Sequence, residues 1–526
     1  MELNSVKDSV GAADNHPFVP ATVDVLITGA GPTGISLGID LARRGVRALI
    51  VERQDRLSQG ARGTGLQPRS QEVYEDLGLL DAIREVGGHY PPTALWKDGR
   101  ITEVHEMIER VDPTPAVPWS TALMVPQFRT LEVLHARLTE VGGSVLFGTE
   151  LTEFAQDADG VTARLQRADG TAHTVRAAYL VAADGGRSTV RRALGTAMSG
   201  PDLEPGVALL ADIRVDGLDR DHWHRWILPT GGFIGILPLA GTGDLFQTMI
   251  AGPGGSPDPS AETVRALLAE HTHLTAEQIR EVVWTSLFRP RAGMADSYRE
   301  GRVFLAGDAA HVHSPAGGQG LNTSVQDAYN LGWKLGLVLR HGAPDTLLDS
   351  YGAERRPIAA DILETSTRLH RSGSLRRGRD LHQLGVGYPD SPLSRELRTD
   401  LAEGVPVAGD RAPDAPCRTA DGRPARLFDA FRGPHFTLLV LGGAALDATA
   451  LPTDPALLRI VRVGGPDADL LDADGHVRDA YGSAPAVLLV RPDGYLALGA
   501  PDEDATAEVA TALADLIGTT ALQPTG

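Results

Sequence analysis

The feature that most constrains this chain is a glycine-rich hexapeptide between two short apolar runs. Val23–Thr28 leads into Gly29-Ala30-Gly31-Pro32-Thr33-Gly34, which fits the pattern G-x-G-x-x-G, and Ala48–Val51 is the second run. Buried strands flanking a helix are typical of a parallel βαβ unit. In such a unit the first glycine permits the tight turn, the second lets a pyrophosphate approach the backbone, and the third lets helix and strand pack closely. The sequence therefore predicts a dinucleotide-binding fold here.

An acidic residue ends the second predicted strand. Glu52 follows Gly34 by 18 residues. We expect its carboxylate to accept hydrogen bonds from an adenosine ribose, and an acid at this position argues against a 2′-phosphate. The N–H groups at the start of the intervening helix would attract the phosphates. A chance glycine turn is the alternative, and the order of strand, helix, strand and acid argues against it.

A second motif, Ala183–Arg191, follows the apolar run Tyr179–Ala182. Asp184 and Ser188 would organise a turn there, and Arg187 and Arg191 would meet a phosphate. A capped turn from strand to helix explains the same residues equally well.

A third motif runs from Arg302 to Asn322. Asp308 ends a predicted buried strand, the position at which ligands bind in open α/β sheets. In the loop Pro315–Asn322, three glycines leave the backbone bare for a flat ring. The N–H groups near Leu321 and Asn322, at the start of a helix predicted over Leu321–Arg340, would stabilise negative charge forming on that ring.

Other polar residues allow two interpretations. His311 and His313 form an H-x-H pair, but no third ligand has suitable spacing, so a structural or cofactor-edge role is favoured over a metal site and no metal is predicted. We expect the helical residues Asp327, Lys334 and Glu354 to be charges on helix surfaces or ends. The aromatic candidates are either ordinary core and face residues or a stacking platform for an aromatic substrate: Trp223, His224, Trp226 and Phe233.

The patterns predict an α/β protein. A Rossmann-like domain is interrupted by an antiparallel sheet domain and followed by a separate C-terminal unit. The predicted boundaries are a flexible tail over 1–20, a first domain over 21–95, 120–205 and 285–395, a sheet domain over 96–119 and 206–284, and a C-terminal domain over 400–526.

Charge and composition exclude several classes of protein. Lys and Arg number 49 against 68 Asp and Glu, a formal net charge of −19, which makes nucleic acid and anionic membrane poor partners. A single cysteine, Cys417, excludes an internal disulfide, an iron–sulfur cluster and a CxxC pair, and fits a cytoplasmic protein. The longest apolar stretch, near Phe436–Leu446, is too short to cross a membrane.

Taken together, GAGPTG with Glu52, ADGGRSTVR and GDAAHVHSPAGGQGLN resemble the class A flavoprotein monooxygenases, the aromatic-ring hydroxylases. The resemblance covers residues 22–370 and implies bound FAD. The C-terminal unit resembles the thioredoxin-like tail of the phenol hydroxylases and of actinobacterial polyketide hydroxylases. Without CxxC, this tail would be redox-inert and structural.

The resemblance also implies roles for individual residues. The pyrophosphate would meet Gly29, Gly31, Pro32, Thr33 and Gly34, and the remaining FAD contacts would be Glu52, Arg53, Arg62, Gln127, Asp184, Asp308, Pro315, Gly318, Gly320, Leu321 and Asn322. The substrate would be held by the inserted sheet, through Trp223, His224, Trp226 and Phe233, and by Pro315 and Ala316 of the loop. No catalytic acid or base is identified.

The activity implied is that of a monooxygenase using FAD, O₂ and NAD(P)H, with NADPH favoured. It would insert one oxygen atom into a polycyclic aromatic polyketide through a flavin C4a-(hydro)peroxide, by hydroxylation or, on a ketone, by Baeyer–Villiger insertion. Such a step would belong to antibiotic biosynthesis, in a monomer or homodimer. The alternatives are an antibiotic-inactivating monooxygenase of the rifampicin type, a flavin dehydrogenase, and a non-catalytic flavoprotein.

Overall fold

The computed structural model describes residues 18–61, 63–201, 203, 206–252, 256–372, 377–465, 467–502 and 505–518. Most of the predicted tail, residues 1–17, lies outside the described residues, as does Arg62. No helix of the described ranges is both long enough and apolar enough to cross a bilayer.

The elements of the first 200 residues follow in chain order. They are β1 (Thr22–Thr28), α1 (Pro32–Ala42), β2 (Ala48–Val51), β3 (Gly65–Leu66), α2 (Pro68–Asp76), α3 (Leu80–Glu85), β4 (Thr93–Lys97), β5 (Arg100–His105), β6 (Leu123–Met124), α4 (Gln127–Glu140), β7 (Val145–Leu146), β8 (Thr149–Gln156), β9 (Val161–Arg167), β10 (Ala172–Ala182), α5 (Thr189–Ala193) and β11 (Met198–Ser199).

The middle of the chain carries β12 (Ala208–Val215), β13 (Trp223–Ile227), β14 (Phe233–Pro238), β15 (Leu245–Ala251), α6 (Ala261–His271), β16 (Ile279–Phe288), β17 (Gly293–Ala295), β18 (Arg299–Glu300), β19 (Val303–Leu305), β20 (His311–Val312), α7 (Gly320–His341) and α8 (Asp349–Ser372). The last part has β21 (Arg395–Glu396), β22 (Pro416–Thr419), β23 (Pro424–Arg426), α9 (Leu427–Phe431), β24 (Phe436–Leu441), β25 (Leu458–Val463), β26 (Leu470–Leu471), α10 (His476–Tyr481), β27 (Ala486–Val490), β28 (Leu496–Pro501) and α11 (Ala505–Ile517).

The first sheet is built around parallel strands in the order β19-β10-β1-β2-β7. Its central strands are apolar on both faces because helices cover them, and β1 and α1 share the largest apolar core with α7. Helices α1 and α7 approach closely, since a Cβ on Gly332 would collide with the Asp40 carboxylate. The carboxyl ends of β1, β10 and β19 therefore meet beside the start of α1.

A second sheet of seven strands has the order β16-β12-β15-β14-β13-β4-β5. It is antiparallel except where β13 pairs with β4. Helix α6 packs on one face through Val264 and Leu268. We call the opposite face the inner face, because its Leu237 packs against Tyr90 and Met124 at the edge of the first domain.

The third sheet is mixed and has the order β21-β28-β27-β24-β25-β26-β22-β23. Its core includes Trp333 and Leu337, so this sheet covers one side of α7. The described residues combine three main sheets with helices that pack on them, so the predicted α/β class is confirmed. Cys417 is buried in the smaller core of this sheet, as expected for a packing residue.

Candidate cofactor and substrate site

The glycine hexapeptide forms a turn that only glycine permits at two positions. Gly29 has φ +99°, and a Cβ there would collide with the carbonyl oxygen of Ala183, the residue that follows β10. A Cβ on Gly34 would collide with the Gly29 carbonyl oxygen. Gly31 differs, because a Cβ built on it meets no atom within 4 Å. The space above the first turn of α1 is thus open, at a helix start whose backbone N–H groups lack partners within the helix.

Glu52 lies at the entrance to this turn. Its Oε2 accepts the N–H of Ala30 at 2.9 Å, and its Oε1 accepts the N–H of Gln54 at 2.9 Å. Each carboxylate oxygen can accept a second hydrogen bond, so Glu52 retains the capacity to bind hydroxyl groups. The neighbouring Arg53 is exposed.

The second motif is a capped turn that keeps one open polar atom. Asp184 Oδ2 accepts the N–H of Thr189 at 2.8 Å, and Ser188 Oγ accepts the N–H of Arg191 at 3.0 Å. Asp184 Oδ1 is buried and has no hydrogen-bond partner among the described residues. Arg187 is exposed. A buried acceptor of this kind is satisfied when a ligand donates to it.

Arg191 makes hydrogen bonds that the capped-turn interpretation accommodates. Its guanidinium donates to the carbonyl oxygens of Ala309 at 2.8 Å and Gly186 at 3.0 Å. Its donors therefore join the second motif to the third, and a contact between Arg191 and a phosphate stays a prediction.

The third motif meets the first at Gly307. This residue has φ +61°, and a Cβ there would lie 2.5 Å from Oγ1 of Thr33 and 3.1 Å from Cβ of Ser324. Its N–H donates to Asp327 at 3.0 Å. Asp308 follows and is exposed beside the start of α1. The structure thus brings Asp308 and the glycine hexapeptide to the same edge of the sheet.

The glycine loop is held against residues 63–67. Asn322 is buried, and its side chain accepts the N–H of Gln67 at 2.8 Å and donates to the carbonyls of Gly65 and Gly318 at 2.9 Å each. Gln127 Oε1 accepts the N–H of Gly63 at 3.1 Å. The two amides fix the segment that flanks the loop.

The loop itself keeps an unusual backbone. Gly317 and Gly318 have φ of +81° and +63°, a region that other residues rarely adopt. The last residues of this loop, from Gly320, form the first turn of α7. Pro315 is exposed and Ala316 is half-buried, so both present surface to a ligand.

Alternation along β13 divides the aromatic candidates between two faces. Trp223 lies on the inner face with Leu237 and Tyr90. Phe233 shares that face, stacked under the guanidinium of Arg225 at 4.1 Å. These two remain predicted substrate contacts.

The other two aromatic candidates point the opposite way. Trp226 is part of the core under α6 and stacks on Trp96 at 5.7 Å. His224 is fully buried and accepts the Trp96 Nε1–H at 3.0 Å. The prediction that His224 and Trp226 contact substrate is therefore wrong, because successive residues of a strand face opposite sides.

A cavity of about 330 Å³ opens where the inner face meets the first domain. Its lining includes His89, Met124, Arg220 and Pro238. This volume lies at the lower end of the range for small-molecule pockets.

Comparison with known proteins agrees with this geometry. The family described as FAD binding domain matches residues 22–366, and the family described as Aromatic-ring hydroxylase, C-terminal, matches residues 405–520. The chain belongs to the flavin-dependent aromatic-ring hydroxylases. FAD as the cofactor is confirmed by this membership, and the hydroxylase is an oxidoreductase.

The relatives extend along nearly the whole chain. A flavin-dependent monooxygenase of Mycobacteroides abscessus is 38% identical over 492 residues, covering 90% of this hydroxylase and 96% of the relative. The 12-dehydrotetracycline 5-monooxygenase/anhydrotetracycline 6-monooxygenase of Streptomyces rimosus is 34% identical, covering 95% and 99%. A solved aklavinone-11 hydroxylase in complex with FAD and aklavinone is 29% identical, with a TM-score of 0.77 and coverage of 96% and 100%.

The sequence motifs did not identify two residues that lie beside the glycine loop, Arg377 and Tyr90. Arg377 Nη1 lies 3.2 Å from a Cβ built on Gly318, and its guanidinium lies 5.8 Å from the centroid of the Tyr90 ring. The Tyr90 hydroxyl is 3.0 Å from Oγ1 of Thr64. Arg377 lies in the predicted first domain, within 285–395, but no motif marked either residue.

Asp212 is a third residue that was missed, although a signal existed. It is a single carboxylate within the apolar strand β12, and it is 1% exposed. It projects from the inner face, and its Oδ2 accepts the N–H of Ala61 at 3.1 Å. Burial raises the pKa of Asp212 to about 6. A carboxylate within an apolar strand is rare, so the sequence pattern alone could have marked Asp212 as a candidate site residue.

The expectation that three helical charges lie at the surface is wrong. Asp327 and Lys334 are fully buried and Glu354 is 2% exposed. Lys334 Nζ lies 2.7 Å from Glu354, which also pairs at 2.7 Å with Arg491 of the third sheet. Against the opposing effect of burial, Arg491 and Lys334 hold the pKa of Glu354 well below its usual range. These charges are buried because the third sheet covers this side of α7. In an isolated helix the same side would be exposed to water.

Proposed function

We propose that this hydroxylase is an NAD(P)H-dependent monooxygenase that inserts one oxygen atom of O₂ into a polycyclic aromatic polyketide. The observation that carries the proposal is the arrangement around Arg377. Its guanidinium lies beside Gly318 of the glycine loop and over the ring of Tyr90, and Tyr90 packs with the inner-face residues Leu237 and Trp223. An apolar, aromatic surface thus adjoins the loop assigned to the flavin ring.

The residues present fit FAD. The open space above Gly31 suits a pyrophosphate, whereas Gly29 and Gly34 are required by the protein's own backbone. Asp184 Oδ1, a buried acceptor without a partner in the described part of the chain, suits a ligand hydroxyl or N–H. In the proposal Glu52 holds the adenosine ribose with Arg53 beside it, and Asp308 holds the ribityl chain.

The remaining cofactor contacts belong to the ring side of the site. We assign to the isoalloxazine Pro315, Gly318, Gly320, Leu321 and Asn322, with Gln127 nearby. Arg62, which the resemblance places with them, lies outside the described residues. Bound FAD would supply hydride acceptance from NAD(P)H and activation of O₂.

The overall reaction balances as aromatic C–H plus O₂, NADPH and a proton giving the phenol, water and NADP⁺. One oxygen atom enters the product and the other leaves as water, with two electrons from NADPH. The inner face orients a flat substrate and excludes water, and Arg377 supplies positive charge beside the loop. NADPH would bind transiently, since the sequence carries one G-x-G-x-x-G fingerprint.

The C-terminal unit is proposed to be thioredoxin-like and structural. Strand β24 pairs in parallel with β25 and antiparallel with β27, an arrangement that supports this assignment. Cys417 is the one cysteine of the chain, so the unit has no dithiol. We propose further that the protein acts in the cytoplasm as a monomer or homodimer.

Relatives favour polyketides as substrates, and one of them also motivates an alternative. A 6-methylpretetramide 4-monooxygenase of Streptomyces rimosus is 35% identical over 512 residues. A rifampicin monooxygenase of Rhodococcus hoagii is 32% identical over 529 residues, so antibiotic inactivation is the second candidate.

The test is product mass. The purified protein, loaded with FAD, is given NADPH and ¹⁸O₂ with a panel of tetracyclic phenols and quinones and with rifampicin. We expect substrate-stimulated NADPH oxidation and one ¹⁸O atom in a tetracyclic product. A labelled rifampicin product alone would favour inactivation. NADPH oxidation that never labels any product would refute the monooxygenase, and a protein that cannot take up FAD would refute the whole assignment.

A further inference from the structure

Arg225 is a cation on the inner face of the second sheet. It lies at the middle of β13 and is half-buried. Its guanidinium carbon lies 4.1 Å from the centroid of the Phe233 ring. Its Nε is buried and, in the described part of the chain, has no hydrogen-bond partner. The guanidinium is therefore held by an aromatic ring rather than by an anion.

No carboxylate of the described residues balances the charge of Arg225. Burial lowers the pKa of its guanidinium, and no carboxylate among them opposes this effect. The inner-face acid Asp212 belongs to β12, which β15 and β14 separate from β13. Three strand spacings amount to about 14 Å, which is too far for an ion pair. Because a cation removed from water without a partner is unfavourable, an anion supplied by a ligand would stabilise this site.

A second donor lies beside Arg225. Gly235 of β14 pairs with Arg225, and a Cβ built on Gly235 would lie 3.1 Å from Nε1 of Trp223 and 3.5 Å from Cε2 of Phe233. The glycine thus lets the indole N–H lie over β14, where it has no acceptor among the residues that the structure describes. Arginine and tryptophan side chains donate hydrogen bonds and do not accept them. The three side chains around Gly235 therefore offer two donors and two aromatic rings.

These donors adjoin the loop assigned to the flavin ring. Trp223 packs with Tyr90, and Arg377 lies over the Tyr90 ring and beside Gly318 of the glycine loop. Arg225 follows Trp223 by two residues on the same strand, a distance of about 6.6 Å. A ligand of several fused rings that lies over Trp223 is long enough to contact both the glycine loop and the guanidinium.

We propose that Arg225 binds an anionic oxygen of the aromatic substrate, with the indole N–H of Trp223 as a second donor and the ring of Phe233 holding the guanidinium in place. This inference rests on the proposed function and narrows its substrate class. The substrate is a fused-ring aromatic compound with a carboxylate, or an ionised phenol or enol, at the end away from the oxygenated carbon. A guanidinium suits such a group because its planar donors match carboxylate geometry.

The first test compares matched ligands on the unsubstituted holoprotein, without NADPH, by isothermal titration calorimetry. Anthraquinone-2-carboxylate is compared with its uncharged amide, and ionised 2-hydroxyanthraquinone with 2-methoxyanthraquinone. We expect the anion of at least one pair to bind about tenfold to hundredfold more tightly, the range of one hydrogen bond between charged groups. The pair with the larger ratio identifies the carboxylate or the phenolate as the group recognised. Equal affinities within both pairs would overturn the proposal.

Substitutions then assign the preference to Arg225. Arg225→Gln removes the charge, and Arg225→Lys keeps it without the planar donors. We expect R225Q to lose the preference for the anion while its affinity for the uncharged ligand stays unchanged, and R225K to retain part of the preference. If R225Q weakens the charged and uncharged ligands equally, the side chain only supports packing and the anion contact is overturned.

Arg280→Gln is the matched control, because it removes the same charge from an exposed arginine of the same sheet. Arg280 pairs with Asp216 and Asp244, so it has its own counterions. We expect R280Q to keep the full preference for the anion. A loss as large as that of R225Q would show that the net charge of the protein sets the preference, and would overturn the contact.

Failure of this proposal and failure of the proposed function give different results. Equal binding of charged and uncharged ligands, together with ¹⁸O in a product, would overturn the role of Arg225 and leave the monooxygenase intact. A holoprotein that labels no product would refute the monooxygenase, while the binding ratios, which need no turnover, would still decide whether Arg225 binds an anion.

Discussion

Asp212 provides the sharpest test of the energetics of the inner face. Burial raises its pKa from an ordinary value of 3.8 to about 6, so the folded protein binds this proton more tightly than the unfolded chain does. The contribution to stability is complete below 3.8 and is lost as the pH rises through about 6. One pKa unit corresponds to about 1.4 kcal/mol, so the loss across this window is about 3 kcal/mol.

Asp212→Asn removes this titration and keeps an oxygen to accept the Ala61 N–H. We expect the free energy of unfolding of the unsubstituted protein to fall by about 3 kcal/mol relative to D212N as the pH rises through this window. Urea unfolding followed by tryptophan fluorescence suits the measurement, since four of the six tryptophans, Trp96, Trp223, Trp226 and Trp284, lie in the second sheet.

The control is Asp258→Asn, at an exposed aspartate in the same part of the chain. Its stability should follow that of the unsubstituted protein at every pH. Parallel stability curves for D212N and the unsubstituted protein would refute the reasoning, because they would show that Asp212 is ionised at no cost in the folded state.

Three other results are expected. Gly31→Ala should abolish FAD retention, measured by flavin absorbance, and leave the melting temperature of the apoprotein unchanged, because its side chain enters only the open space. Gly34→Ala should also lower the melting temperature of the apoprotein, because its side chain meets Gly29. Glu354→Gln should lower the free energy of unfolding by about 3 kcal/mol in urea titrations, since it leaves the buried Lys334 without an anion and Arg491 with Asp493 alone; unchanged stability would contradict the buried network. Cys417 should react with a thiol reagent only upon unfolding, because burial and, to a smaller extent, the negative charge of Asp414 raise the pKa of its thiol to about 11. Rapid labelling of the folded protein would disprove this.

Much of the cofactor site could be predicted because it is encoded locally. The turn at Gly29 and Gly34 needs residues without Cβ, and these lie within six positions of one another. The helix predicted over Leu321–Arg340 is α7, and its apolar periodicity is visible in sequence. The turn at Asp308 could be predicted in the same way, because the apolar strand before it is visible in the sequence. Such features depend on neighbours a few residues apart.

The substrate side was predicted less well because it depends on which face of a sheet turns inward. Alternation in β13 separates Trp223 from His224 and Trp226, but the pattern alone is symmetric between the two faces. Only the packing of α6 on one side and of Tyr90 on the other decides that Trp223 faces the site.

The sequence by itself determined the α/β class, the glycine turn of the cofactor site and membership of a flavin hydroxylase family, since these follow from short contiguous patterns. The tertiary structure alone decided that Asp327, Lys334 and Glu354 are buried and that Arg377 reaches the glycine loop. The partner of Glu354, Arg491, is 137 residues away along the chain. Burial of a charge is set by what covers it, and here the covering residues come from a distant part of the chain.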